Sequence, residues 1–171
     1  MDASMLGVGI GFNTNGAGKV NIKPIDKNKN IKIHQILDTR EDWVESVKLL
    51  IESYLHGNEE IQFDYTLIRK EGELIKGFGG VSSGYKPLME CHKSLRIVLE
   101  RNVGKLISVT TIVDIMNIIG KCVVSGNIRR TAEIVFGDYN NPEYLDLKNY
   151  KVNPYREEYG WTSNNSVFAD L

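Results

Sequence analysis

Residues 109–136 read VTTIVDIMNIIGKCVVSGNIRRTAEIVF: a long apolar run, a break, then a short strand-like run. From about Thr110 to Val124 the side chains are apolar on most sides, which predicts a buried helix. Asp114 lies near its start, where a carboxylate suits the helix dipole. Ser125–Arg130 (SGNIRR) breaks the helix, and Thr131–Phe136 has the composition of a strand. A helix feeding straight into a strand is the α/β pattern. Two arginines, Arg129 and Arg130, sit at this junction after Gly126 and Asn127. Neighbouring side chains of an extended chain point to opposite sides, so only one of the two can face a given ligand. Arginine's planar fork suits phosphates and base edges. The alternative is that both pair with acids such as Glu133 or Asp138.

Downstream, Pro142 opens a short helix over Asn141–Leu147, Lys151–Tyr159 reads as a polar loop, and Trp161–Ala169 (WTSNNSVFA) as a strand with polar groups on one face. SNNSV at 163–167 offers amides and hydroxyls without a titratable group. That suits hydrogen bonding to a sugar or base, not acid–base chemistry.

Upstream, Pro87 opens a helix whose core stripe is Leu88, Cys91, Leu95 and Val98. Before it, GFGGVSSG (77–84) follows Lys76. Its glycines, Gly79 and Gly80 among them, can turn backbone N–H groups toward a phosphate, with Lys76 adding a point charge; equally, the stretch can be a simple loop leading into the helix. Thr39 with Asp42 begins a helix carrying Trp43, Val47, Leu50, Ile51 and Tyr54 on one face, stopped by Gly57. Ile61–Arg69 reads as a strand, Glu71–Gly72 as a turn and Glu73–Lys76 as its partner. Val20–Ile25 and Ile31–Leu37 alternate like half-buried strands.

The apolar start, Met5–Phe12, has glycine at 7, 9 and 11 and reads as a buried strand against which a backbone or ligand lies. It is neither a dinucleotide fingerprint, since GxGxG is not GxGxxG, nor a phosphate loop, since Val20 stands where Ser or Thr is required.

Composition narrows the classes further. The 171 residues are 42% hydrophobic and 25% charged, with net charge −1, so one globular domain is expected. The balance gives no general attraction to nucleic acid or an anionic membrane. No stretch resembles a membrane span or a signal peptide, and two cysteines make no disulfide framework; a cytoplasmic location is expected. His34, His56 and His92 have no metal-ligand spacing, so no metal site is expected. Cys91 and Cys122 fall on apolar helix faces and read as buried, inert thiols.

In order and spacing, DASMLGVGIGFNTNGAG, DTREDWVESVKLLIESYL, IKGFGGVSSG, CVVSGNIRRTAEIVFGD and YGWTSNNSV resemble the adenosylcobalamin-dependent ribonucleoside-triphosphate reductases of the monomeric class II type. GNIRRTAEI and SNNSV carry most of that resemblance. It implies part of an α/β barrel of about ten strands across 1–171, with residues 14–76 as an inserted allosteric segment. It implies reduction of ribonucleoside triphosphates through a cobalamin-initiated thiyl radical, with thioredoxin as reductant and a deoxynucleoside triphosphate as effector. By position, Gly9 matches the glycine at the substrate ribose. Ser125–Arg130 matches the loop linking effector to substrate base, with Arg129 and Asn127 on the substrate side and Ser125 and Gly126 on the effector side. Lys76, Gly79 and Gly80 match the effector-phosphate region. The radical cysteine loop, the reducing pair and the cobalamin-binding part have no counterpart here, so no catalytic residue is expected. The stop at Leu171 inside a strand-like run leads us to expect a piece of a longer reductase; a freestanding nucleotide-binding module and a split-gene subunit are the alternatives.

Overall fold

The computed structural model describes residues 1–75, 80–125 and 131–168. In chain order its elements are α1 (Asp2–Met5), β1 (Ile10–Asn13), β2 (Lys32–Gln35), α2 (Arg40–His56), β3 (Ile61–Asp64), α3 (Lys86–Arg101), α4 (Val109–Val124), β4 (Glu133–Asp138), α5 (Pro142–Leu145) and β5 (Ser163–Phe168), with short 3₁₀ turns between α5 and β5. The fold is α/β. One sheet has the order β1-β4-β5, every pair parallel, with Ile10 opposite Glu133 and Glu133 opposite Ser163. A second, two-stranded parallel sheet pairs β2 with β3.

Helix α4 is the centre of the packing. Its N-terminus is capped by Ser108, whose hydroxyl accepts from the Thr111 amide at 3.1 Å. On one side Val109 and Val113 pack with Val135 of β4, Tyr144 and Leu147. On the other, Ile118, Ile119 and Cys122 join Leu88, Cys91 and Leu95 of α3, in a cluster that continues to Val47, Leu50 and Tyr54 of α2. Two apolar clusters thus flank α4, one against the larger sheet and one that runs through α3 into the 14–76 stretch.

Helix α2 follows the sequence closely. Thr39 caps it by accepting from the Asp42 amide at 3.2 Å, and Gly57 ends it at φ 68°, a left-handed conformation that side chains disfavour. The Asp42 carboxylate reaches back to the Leu37 amide (2.6 Å) rather than to Thr39.

Helix α3 also bears a polar stripe that alternation arguments do not reveal. His92, Arg96 and Glu100, four residues apart, share one face. His92 sits between Ser46 Oγ (3.0 Å) and Tyr65 Oη (2.8 Å) and stacks on Phe63 at 4.0 Å. Arg96 donates to the Ile61 carbonyl (2.8 Å), and Glu100 accepts from Tyr54 Oη (3.0 Å). These contacts fix α2 and β3 on α3 in one register.

Several expectations are corrected. The start of the chain is a short helix, and the strand begins only at Ile10; Leu6 and Val8 are exposed. Residues 20–25 form no strand but lie along 104–107 through single hydrogen bonds and one bridge, with Ile22 buried. Ile61–Arg69 is extended only to Asp64, and it pairs with β2. The 73–75 stretch pairs instead with 80–82, through the Leu74–Val81 bridge and the Ile75 amide to the Gly80 carbonyl (3.0 Å). The polar loop 151–159 conceals Arg156, only 1% exposed. Its Nε donates to Asp114 Oδ1 at 2.6 Å, and its other nitrogens donate to the Leu147 carbonyl and to Asn117 Oδ1. Burial pushes the Asp114 carboxyl up, and the guanidinium beside it opposes that.

Removing one partner of this ion pair strands a buried charge. Asp114→Ala is expected to lose about 3–5 kcal/mol in urea unfolding, far more than a surface substitution. Burial, with Arg96 nearby, lowers the His92 pKa to about 3 from 6.5. The unfolded chain therefore takes up this proton first, so the stability present above pH 6.5 is lost as pH falls toward 3. Urea midpoints of His92→Gln should fall less than those of the parent between pH 7 and pH 5.

Candidate functional site

The N-terminus of α2, the 80–83 stretch and the end of α4 meet at one cleft. It is lined by Thr39, Arg40 and Trp43 of the α2 turn, Arg69, Ile75, Ser82 and Ser83, Cys122 and Val123 of α4, and Met1 and Met5. Its enclosed volume is about 90 Å³. That is below the ~300 Å³ of typical ligand pockets, so a nucleotide-sized ligand would extend across its mouth, where the arginines lie. Both are held by carboxylates. Arg40 reaches Asp2 at 3.0 Å and Glu41 at 2.8 Å; Arg69 reaches Asp38 at 2.6 Å and the Leu74 carbonyl at 3.1 Å. These contacts orient the guanidinium forks, and an incoming anion would exchange with exposed acids. Half-buried Trp43 supplies an aromatic face. Two guanidinium groups, a helix N-terminus and an indole make a surface suited to a phosphorylated, planar ligand. Among the described residues of the cleft none is a nucleophile with a paired base.

The cleft borders the junction that opened the sequence reading. Val123 lies two residues before Ser125, which caps α4 with its hydroxyl on the Lys121 carbonyl (2.6 Å). Beyond residues 126–130, the chain is anchored by Thr131 Oγ1 to the Val8 carbonyl (2.9 Å) and by the Ile10 amide to the Ala132 carbonyl (2.8 Å). Gly9 lies between those two anchors, exposed, with 3.9 Å to the nearest atom a Cβ there would meet, so packing does not require glycine at this position. Gly80, at φ 90°, sits at the neck of the 76–79 stretch. Lys76, Gly79, Gly126, Asn127 and Arg129 lie outside the described residues. Arg40, Trp43 and Arg69 were not singled out as ligand contacts from sequence. The only signal for them was the α2 capping pattern with a basic first residue.

Cys122 lines the cleft and Cys91 lies behind it, both buried free thiols; the neighbouring Cys122 together with burial pushes the Cys91 thiol up, which suits an inert thiol there. Among the described residues, no group of three or more His, Cys, Asp or Glu is placed to hold a metal ion, and no helix is long and apolar enough to cross a membrane.

A family model described as "B12-dependent ribonucleotide reductase, insertion domain" matches residues 13–99. The chain belongs to the B12-dependent ribonucleotide reductases. Over all of its length it is 53% identical to the "Probable adenosylcobalamin-dependent ribonucleoside-triphosphate reductase" of Dictyostelium discoideum, covering 24% of that protein. It is also 53% identical, again over its full length, to the adenosylcobalamin-dependent ribonucleoside-triphosphate reductase of Euglena gracilis, covering 24% of it. The crystal structure of a B12-dependent (class II) ribonucleotide reductase superposes on 99% of the chain and 28% of that protein, with a TM-score of 0.79 and 25% identity. The chain therefore spans about a quarter of the length of these relatives, and its fold is that of a class II reductase segment.

Adenosylcobalamin, which the relatives' names carry, has no fitting place among the described residues. The cleft holds about 90 Å³ and the groove at Tyr65 and Tyr85 about 420 Å³, whereas a corrin with its nucleotide tail is larger than the drug-sized ligands that fill about 300–1,000 Å³.

The carboxylate-held arginines are surface groups, so Arg40→Ala should leave the urea midpoint within about 0.5 kcal/mol of the parent. A larger loss would mean that Arg40 is structural.

Proposed function

We propose that this chain is the effector-sensing and substrate-selecting part of a reductase that converts ribonucleoside triphosphates to deoxyribonucleotides, with adenosylcobalamin and thioredoxin serving the parent protein elsewhere. The observation that carries the reading is the cleft: Arg40 and Arg69 at its mouth, Trp43 on its wall and the end of α4 as its floor. In this reading a deoxynucleoside triphosphate lays its phosphates toward the arginines and its base toward Trp43. Residues 14–76 are the inserted segment that supplies α2 and Arg69, and the family match over 13–99 contains that stretch. By the resemblance, Lys76, Gly79 and Gly80 are assigned to the effector phosphates. Ser125 and Gly126 take up the effector's presence, and Asn127 and Arg129 pass it to a substrate lying at Gly9. The hydrogen bonds that Thr131 Oγ1 donates to the Val8 carbonyl and the Ile10 amide donates to the Ala132 carbonyl support that last link.

Calorimetry of the intact reductase with the four deoxynucleoside triphosphates tests this. Arg40→Ala and Trp43→Ala should each weaken effector binding about 10- to 100-fold, the loss of one charge-assisted or stacking contact. Unchanged affinity for all four nucleotides in both variants would overturn the assignment of the cleft.

A further inference from the structure

A second cavity, of about 420 Å³, lies at the start of α3. Of its lining residues only Ser83 also lines the cleft. Its wall carries two phenol rings, Tyr65 and Tyr85, with centroids 5.8 Å apart and planes tilted by 36°. Rings at that spacing already touch, so no third ring fits between them and the pair presents one aromatic surface. Tyr65 is fixed from behind. The Ser46 hydroxyl donates to the Trp43 carbonyl (2.8 Å), so it accepts from His92 Nε2 (3.0 Å), which leaves Nδ1 to accept from Tyr65 Oη (2.8 Å). The Tyr65 hydroxyl is thus turned inward, and its ring is what the cavity meets. Buried Ile68 completes the apolar lining. The charged lining is Lys70, Glu71 and Lys86, and none of the three is in an ion pair among the described residues. Two ammonium groups against one carboxylate leave one positive charge in surplus. The start of α3 adds to it: Tyr85 makes no side-chain cap, and no acid stands in the first turn to offset the helix dipole.

We propose that this cavity is a second ligand site, for a nucleoside monophosphate, with a planar base against the Tyr65–Tyr85 surface and one phosphate at Lys70 and Lys86. The surplus charge matches a single phosphate and falls short of a triphosphate, so this ligand differs from the effector assigned to the cleft. The volume lies within the ~300–1,000 Å³ of small-molecule sites, and a prefixed aromatic wall lowers the ordering cost of binding. Base stacking on tyrosine tolerates any base, since each has a flat face; the site therefore selects for a ring joined to one anion, not for base identity. The assignment stands on the lining of this cavity and does not depend on what the cleft binds.

Equilibrium dialysis of the intact protein against adenosine monophosphate, adenosine and inorganic phosphate tests the site. The monophosphate should bind with a Kd below about 1 mM, and about tenfold or more tightly than adenosine or phosphate alone. Tyr85→Ala should weaken it about tenfold, the loss of one stacking face, and Lys86→Gln about three- to tenfold, the loss of one charge-assisted contact. Both residues are exposed, Tyr85 by 40%, so neither variant threatens the fold. Arg40→Ala, which alters the cleft, should leave the monophosphate affinity unchanged. Absence of binding, phosphate alone binding as tightly as the monophosphate, or an affinity unchanged in Tyr85→Ala would each overturn the proposal. Titrating the same samples with deoxynucleoside triphosphates reads the cleft separately, so failure of one assignment is distinguishable from failure of the other.

Discussion

A helix that is apolar around most of its circumference must be covered on every side, and α4 imposes that requirement on everything near it. The β1-β4-β5 sheet covers one side with Val135, Tyr144 and Leu147, and α3 covers the other with Leu88, Cys91 and Leu95. Two elements far apart in the chain, a parallel sheet and a helical segment, thereby each build an apolar cluster on the same helix. The end of α4 is then forced into the space between them.

The polar contacts supply the register that apolar packing leaves loose. His92, Arg96 and Glu100 dock α2 and β3 on α3, while Asp114, Asn117, Arg156 and Glu133 dock the sheet and the turns before β5 on α4. Buried polar groups are costly unless partnered, so each set accepts few alternative arrangements. The arginines of the cleft differ in kind, since Arg40 is held by the exposed acids Asp2 and Glu41 and Arg69 by the half-buried Asp38 and the Leu74 carbonyl, partners an anion can replace.

Periodicity and capping made the long helices legible. Thr39, Gly57, Pro87 and the stripe Leu88–Cys91–Leu95–Val98 all act locally, and the structure follows them. The strands were less legible. Residues 20–25 alternate correctly but meet 104–107 through isolated hydrogen bonds and the end of α2 through the Lys23 amide, and 73–75 pairs with 80–82 through the Leu74–Val81 bridge. Which strands pair is set by contacts far apart in sequence. Arg156 was missed because a charged residue in a polar stretch looks exposed, and only Asp114, 42 residues away, makes its burial possible. The cleft residues were missed for the same reason: Arg40, Arg69 and Val123 meet only through the fold.

The family resemblance in GNIRRTAEI and SNNSV pointed to the enzyme class, and the family match bears it out. The proposed reading puts the effector at the cleft, whose Val123 lies two residues before Ser125, and the substrate at Gly9, beside the Thr131 and Ala132 contacts to the Val8–Ile10 backbone. The most direct test is a crystal structure of the intact reductase with a bound deoxynucleoside triphosphate. Our account predicts phosphates at Arg40 and Arg69 with the base against Trp43. Nucleotide density elsewhere, for instance in the neighbouring groove lined by Tyr65, Lys70 and Tyr85, with the cleft unchanged, would contradict it.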